Sequence, residues 1–243
     1  MSGLSATWQP IQGVGTLSTT RDGGVSKPPF DSLNLGLHVG DNSQDVLTNR
    51  AHVNSYIPNP AVWLNQVHSA DVILVDEAFD ANHILTGDAL YTQLRNQPLA
   101  IMTADCLPIL LTSSDGQEVA AIHAGWRGLV QGIINNTVSC FKHEPANLHA
   151  WLGPAIGANQ FQVGQEVVEL FTANNPLMHS AFKAQNNEKY LADIYLIATI
   201  LLNQQGVINI SGGEHCTVSQ ANLFFSYRRD GQTGRMASLI WRK

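Results

Sequence analysis

The chain has 243 residues, 44% of them hydrophobic and 13% charged, with a formal net charge of −6. That size is enough for a full buried core, and the low charge argues against disorder. No basic run, no basic stretch interleaved with aromatics and no apolar stretch of about 18 residues occurs, which argues against nucleic acid and membranes as primary partners.

The opening MSGLSATWQP lacks a charged segment followed by an apolar one, so no signal peptide is expected. GVGTLS invites comparison with a dinucleotide loop, but the third glycine is missing and no helical pattern follows. RDGGVSKPPFDSLNLGLHVGDN is dense in turn residues and reads as loops. A helix is expected from about Ser43 through His52, with Asn42 or Ser43 as its N-cap. AVWLNQVHSADVILVDE holds two strand-like runs around a short polar centre, the second being the β-branched Val72–Val75. LAIMTADCLPILLTSS and EVAAIHAG read as neighbouring strands joined by the Asp-Gly turn of SSDGQ.

After HAGWRG the period lengthens. Leu129, Val130, Ile133, Ile134, Thr137, Val138 and Phe141 recur at helical spacing and predict one amphipathic helix of about four turns. GQEVVELFTAN predicts a second helix. ADIYLIATILLNQQGV predicts a third, capped by Asp193 and ended near Gly206. The tail FFSYRRDGQTGRMASLIW suggests two strands around a glycine-rich turn. Strands and helices mix without strict alternation, which favours an α+β fold. No repeat or linker divides the sequence, so one domain over 1–243 is expected.

The three cysteines, Cys106, Cys140 and Cys216, are too few and odd in number for a disulfide framework. Reduced thiols and a cytoplasmic location are expected. Three segments place a borderline metal ligand beside strand-like sequence: His68 in WLNQVHSADV, Cys106 in MTADCLPILL and His123 in AAIHAGWRG. Their spacing matches no zinc-finger pattern, and neither CxxC nor HExxH occurs. Two imidazoles and a thiolate nevertheless suit Zn²⁺ with one open position for water, whose pKa the metal lowers toward about 7. Copper suits the same donors. Each residue also has an ordinary reading, since a free cysteine in an apolar strand is commonly core and a strand-end histidine is often only hydrogen-bonded.

Asp105 is harder to place in a core, because a carboxylate in an apolar run needs a partner. A cap, an arginine pair, or the orientation of a metal-bound histidine would each answer that need. HAGWRG joins a strand end to a helix start beside Arg127, either an anion site or a tight turn with a structural ion pair. Arg228, Arg229 and Arg235 cluster around Asp230. A solvated turn is the commoner case for such a cluster, an anion-contacting lip the rarer one. His38, His52, His83, His143, His149, His179 and His215 have no partner spacing and read as structural or surface residues, as does Cys140; Cys216 is ambiguous.

Taken together, STTRDGGVS, SLNLGLHVGDN, WLNQVHSADV, TADCLPILL, AAIHAGWRGL, WLGPAIG, FQVGQEV and FFSYRRDGQTGRMASLIW resemble the YfiH-type family from about Thr20 to Trp241. Its members carry the names multicopper polyphenol oxidoreductase (laccase-like), purine nucleoside phosphorylase and peptidoglycan editing factor. The resemblance implies a mixed β-sandwich flanked by helices, similar to the catalytic domain of cytotoxic necrotizing factor toxins. It implies a zinc site of His68, Cys106 and His123. It further implies phosphorolysis of adenosine, inosine, guanosine and methylthioadenosine, with deamination of adenosine. One departure stands in TGDALYT, where an alanine is expected before the acid and Gly87 precedes Asp88. Phosphorolysis needs a phosphate pocket, for which Arg127 and Arg50 are candidates. Deamination needs a proton shuttle, for which Asp88 and Asp105 are candidates. A metal-free hydrolase with Cys106 as nucleophile and His123 as base, acting on peptidoglycan precursors, is the main alternative. Laccase-like copper oxidation is a weaker one.

Overall fold

Fourteen strands and six α-helices build the protein in a computed structural model that describes residues 11–79, 85–173 and 175–243. His83 and the first ten residues lie outside the described residues. In chain order the elements are β1 (Val14–Ser18), α1 (Ser43–Asn54), β2 (Leu64–Asn65), β3 (Val72–Val75), β4 (Leu85–Thr86), β5 (Ala89–Thr92), β6 (Leu99–Thr103), β7 (Leu107–Ser113) and β8 (Val119–Ala124). Then come α2 (Trp126–Gln131), α3 (Ile133–Val138), β9 (Leu148–Leu152), β10 (Gln162–Gly164), α4 (Gln165–Thr172), β11 (Phe182–Ala184) and β12 (Lys189–Ala192). α5 (Ile194–Gln204), β13 (Asn209–Gly212), α6 (Tyr227–Asp230) and β14 (Met236–Arg242) complete the chain.

The central six-stranded sheet runs β13-β9-β7-β8-β5-β3 and mixes parallel and antiparallel pairs. β7 and β8 are buried along their whole lengths, as a strand packed on both faces must be. One face meets the three-stranded sheet β1-β14-β6 through Val14, Leu99, Ile101, Leu110, Val119, Ala121 and Ile240. The other meets the helical layer, where Ile109, Leu111 and Ile122 pack with Leu129, Ile134, Ile197 and Leu202. The fold is therefore mixed α+β, with two packed sheets and helices on the outer face of the larger one.

Several expected elements are in place. Asn42 caps α1 by accepting the backbone N–H groups of Gln44 and Asp45. Asp193 caps α5 by accepting that of Leu196 at 3.0 Å, and α5 buries Ile194, Ile197, Ala198 and Leu202. β7 and β8 form the expected hairpin.

Three expectations are corrected. LAIMTADCLPILLTSS is not one strand: β6 belongs to the smaller sheet and β7 to the larger, and the chain turns between them at Asp105, whose φ is 90°. The helix after HAGWRG is broken into α2 and α3, because Gly132 takes the left-handed conformation at φ 92°. Apolar periodicity continues through the break, since both pieces keep the same side on the sheet. The tail forms the short helix α6 and the single strand β14 rather than two strands. GVGTLS supplies β1, the unforeseen antiparallel partner of β14.

Candidate metal centre and its pocket

Strand register assembles the site. Leu107 pairs with Ala124 and Pro108 with His123 across the β7–β8 hairpin. Cys106, just before β7, is thereby set beside Gly125, just after β8. On the other side of β8, Ala89 pairs with Ile122, and His123 donates its backbone N–H to Asp88 O at 2.7 Å. The third arm comes from the loop between β2 and β3. His68 there has a φ of 61°, and its N–H is held by Asp88 Oδ1 at 2.9 Å.

Asp88 organises this corner. Its carboxylate is 0% exposed and accepts the backbone N–H groups of Val67, His68 and Ser69. Its Oδ1 lies 2.7 Å from His123 Nδ1. A buried carboxylate is tolerable only when so many donors meet it. Burial raises its pKa, but the His123 and Ser69 bonds outweigh that and hold the carboxyl at about 2. With Nδ1 engaged, His123 turns Nε2 toward the pocket, the arrangement by which a carboxylate orients a metal-binding imidazole.

The ligand atoms of His68, Cys106 and His123 all lie within 4.8 Å of one another. Cys106 Sγ is 3.7 Å from His68 Nε2, and the imidazole rings are 4.8 Å apart and near perpendicular. Burial pushes the Cys106 thiol up, yet His123 and His68 overcome this and favour the thiolate. Burial likewise opposes the charge on His123, and Cys106 with Asp88 restores it. A polarised thiolate between two imidazoles is a donor set for zinc or copper. Gly125 leaves room for it: a Cβ there would stand 2.8 Å from His68 Cδ2 and 3.2 Å from Cys106 Sγ. The residues fit a bound metal ion.

The trio opens on a pocket of about 570 Å³, within the usual range for small-molecule sites. Trp126, Ile156, Phe161 and Ile194 give it apolar walls; Gln66, Asp105, Arg127 and Arg235 give it polar ones. Gln66 is fixed by two bonds to the Met102 backbone, each 2.8 Å. Asp105 lines the pocket while accepting the Thr217 hydroxyl and the Arg228 backbone N–H, both at 2.6 Å.

The remaining predicted residues divide. Arg127 is exposed on the pocket wall with its guanidinium over the Trp126 ring. Arg50 is committed elsewhere: it donates to Leu35 O and Met102 Sδ and stacks on Trp63. Asp88 lies behind His123 rather than on the pocket wall, its oxygens taken. Cys216 accepts the Gly157 N–H away from the trio. Arg229 binds the carbonyls of Thr217, Val218 and Phe224. Arg228 and Arg235, in contrast, reach the pocket. So does His38, which sequence reasoning set aside because its partners, Arg235 and Tyr227, come from nearly 200 residues away in the chain. No local pattern announces such a contact.

Residues 15–243 match the family model described as multi-copper polyphenol oxidoreductase laccase. The Escherichia coli K12 protein named purine nucleoside phosphorylase YfiH is 50% identical over 237 residues, 96% of each chain. The chain belongs to the YfiH (DUF152) family. A Haemophilus influenzae relative named purine nucleoside phosphorylase is 46% identical over 99% of each chain. Among solved structures of the YfiH family, a Neisseria meningitidis protein superposes with a TM-score of 0.94 at 44% identity, covering 100% of both chains. YlmD from Geobacillus stearothermophilus gives 0.91 at 34% identity, covering 100% of this chain and 97% of its own. Among the described residues, no helix is long and apolar enough to cross a membrane.

Proposed function

We propose that this chain is a zinc-dependent purine nucleoside enzyme, acting as one domain in phosphorolysis and in hydrolytic deamination of adenosine. The convergence of His68, Cys106 and His123 at the base of a half-apolar pocket, in a chain akin to proteins named purine nucleoside phosphorylase, carries the reading. His68, Cys106 and His123 would hold the ion, which supplies Lewis acidity and lowers the pKa of a bound water.

The protein's own groups would do the rest. Trp126 and Phe161 offer flat apolar surface to a purine, and Gln66 and Asp105 offer polar contacts. In phosphorolysis a phosphate oxygen bonds to ribose C1′ as the bond from C1′ to the base nitrogen breaks. The bonding pair leaves with the base, which takes up a proton; the sugar leaves as its 1-phosphate. Adenosine, inosine, guanosine and methylthioadenosine all carry that bond. In deamination water adds its oxygen at C6 of adenine and ammonia leaves. Asp105, which lines the pocket, is the carboxylate we assign to moving protons there. Asp88 acts through His123 as a positioning residue. Arg127 at the rim, and Arg50 behind Met102, are the cations first expected for phosphate.

The test is zinc-loaded protein with adenosine. Inosine should form without phosphate, and free base and ribose 1-phosphate should form with it. Folded, zinc-loaded protein that consumes adenosine in neither buffer refutes the proposal.

A second reading rests on the polarised Cys106 beside His123: a metal-free Cys–His hydrolase of peptidoglycan-precursor amides or esters. Hydrolysis by chelator-treated protein, abolished by added zinc, would favour it. The two-histidine, one-cysteine donor set also suits copper, and a blue absorption band on copper loading would favour oxidase chemistry.

A further inference from the structure

Beside the main pocket lies a second cavity of about 340 Å³. The two share His38, Tyr227 and Arg235 as common walls. Gln232 and Thr233 also line it, and among the described residues no acidic side chain does.

Two observations give this bay a ligand preference. The first is Thr233, 2% exposed, whose hydroxyl oxygen finds no hydrogen-bond partner among the described residues. Burying such a group without a partner is unfavourable, and native proteins rarely do so without a reason. The second is Arg235. Its stem is pinned against Gly36, where a Cβ would stand 2.8 Å from Arg235 Cγ. Its Nη1 donates to Thr233 O and Gly234 O at 3.0 Å each. That fixes the guanidinium, while no bond engages its Nε or Nη2 and no carboxylate pairs with it among the described residues. Burial and the neighbouring cations Arg235 and Arg50 favour neutral His38, leaving its ring able to donate one hydrogen bond. A cation held rigidly, a free hydroxyl and an imidazole, with no acid among them, favour an oxyanion over a neutral sugar.

We infer that this bay is the phosphate subsite, with Arg235, Thr233 and His38 holding inorganic phosphate beside the nucleoside in the main pocket. The inference rests on the phosphorolysis reading for its purpose, though the binding can be measured without turnover. It replaces Arg50, which lines neither cavity, and seats the anion against Arg235 rather than the exposed Arg127. Arg235 stands at the junction, so phosphate in the bay reaches the shared wall where a ribose would lie.

The test uses the zinc-loaded protein, with inorganic phosphate binding followed by calorimetry and by phosphorus NMR. Thr233→Val and Arg235→Met should each weaken phosphate at least tenfold. In phosphorolysis both variants should raise KM for phosphate, and Thr233→Val, which lines only the bay, should leave KM for inosine within twofold. Thr233→Val is nearly isosteric, so it keeps the test valid if Arg235→Met folds poorly. Three results overturn the inference: wild-type protein that does not bind phosphate, variants that bind it as wild type does, or a loss seen with Arg127→Met but not with Thr233→Val. A nucleoside 5′-monophosphate that binds through Arg235 where free phosphate does not would also overturn it. Phosphate bound at the bay by a protein without phosphorolysis would refute the function and leave the subsite standing.

Discussion

Gly125→Ala tests the metal centre through space alone. Gly125 has φ −69° and ψ 155°, a conformation alanine adopts freely, so the backbone bears no penalty. Stiffening the unfolded chain even favours the variant by about 0.4–1 kcal/mol. The new Cβ would stand 2.8 Å from His68 Cδ2, where ordinary contact begins at 3.4 Å. The ring must therefore retreat by roughly 0.6 Å, several times the ~0.2 Å tolerance of a metal–ligand distance. We expect zinc affinity to fall about 10–100-fold, the range typical when a ligand's orientation is disturbed. At fixed excess zinc the variant then loses about 1.4–2.7 kcal/mol of metal-derived stability. That is about 3–11 °C in Tm for a chain of this size. Metal-free variant and wild type should melt within about 1 kcal/mol of each other, because without the ion His68 can move aside. Chelator competition reads the affinity, and melting with and without zinc reads the linkage. Wild-type zinc affinity in Gly125→Ala would refute the assignment of His68 and Cys106 to one ion.

Asp88→Asn keeps the shape but sets an amide N–H against some of the four donors Asp88 now satisfies; about 2–4 kcal/mol should be lost in urea melts, and a loss below about 0.5 kcal/mol would contradict its organising role. Thr233→Val, in phosphate-free buffer, should melt at or above wild type, since it removes an unpaired buried hydroxyl worth roughly 1 kcal/mol or more; a clear drop would mean the hydroxyl has a protein partner. A pH signature arises at the opposite end of β8, where buried Glu118 accepts from the Tyr91 hydroxyl, the backbone N–H groups of Lys142 and His143, and the His143 ring. Burial pushes Glu118 up but these bonds bring it below its usual 4.5, whereas His143 is raised above 6.5, chiefly by Glu118. The Glu118 contribution is complete above about pH 4.5 and fades as pH falls through its folded value. The His143 contribution is complete below about pH 6.5 and fades as pH rises through its folded value. The Tm gap between wild type and Glu118→Gln should thus be widest between these limits, and a gap independent of pH would contradict it.

The sequence by itself carried what depends on neighbours along the chain. Asn42 and Asp193 announced their helices because an N-cap and its partners lie within three residues. The Asp-Gly turn announced the β7–β8 hairpin for the same reason. His68, Cys106 and His123 were nameable from their donor chemistry and from the family resemblance, not from spacing. Only the tertiary structure decided why they meet. Hairpin register sets Cys106 against Gly125, and β5 pairing sets Asp88 behind His123. Periodicity could not reveal that the run around Asp105 serves two sheets, because both halves are buried and read alike as apolar strand. Nor could it separate α2 from α3, since the break at Gly132 leaves the apolar side unchanged. His38 and Arg235 are nearly 200 residues apart in sequence yet share one wall of the pocket. A contact of that kind depends on how β1, β14 and β6 pair, which no single stretch of sequence records.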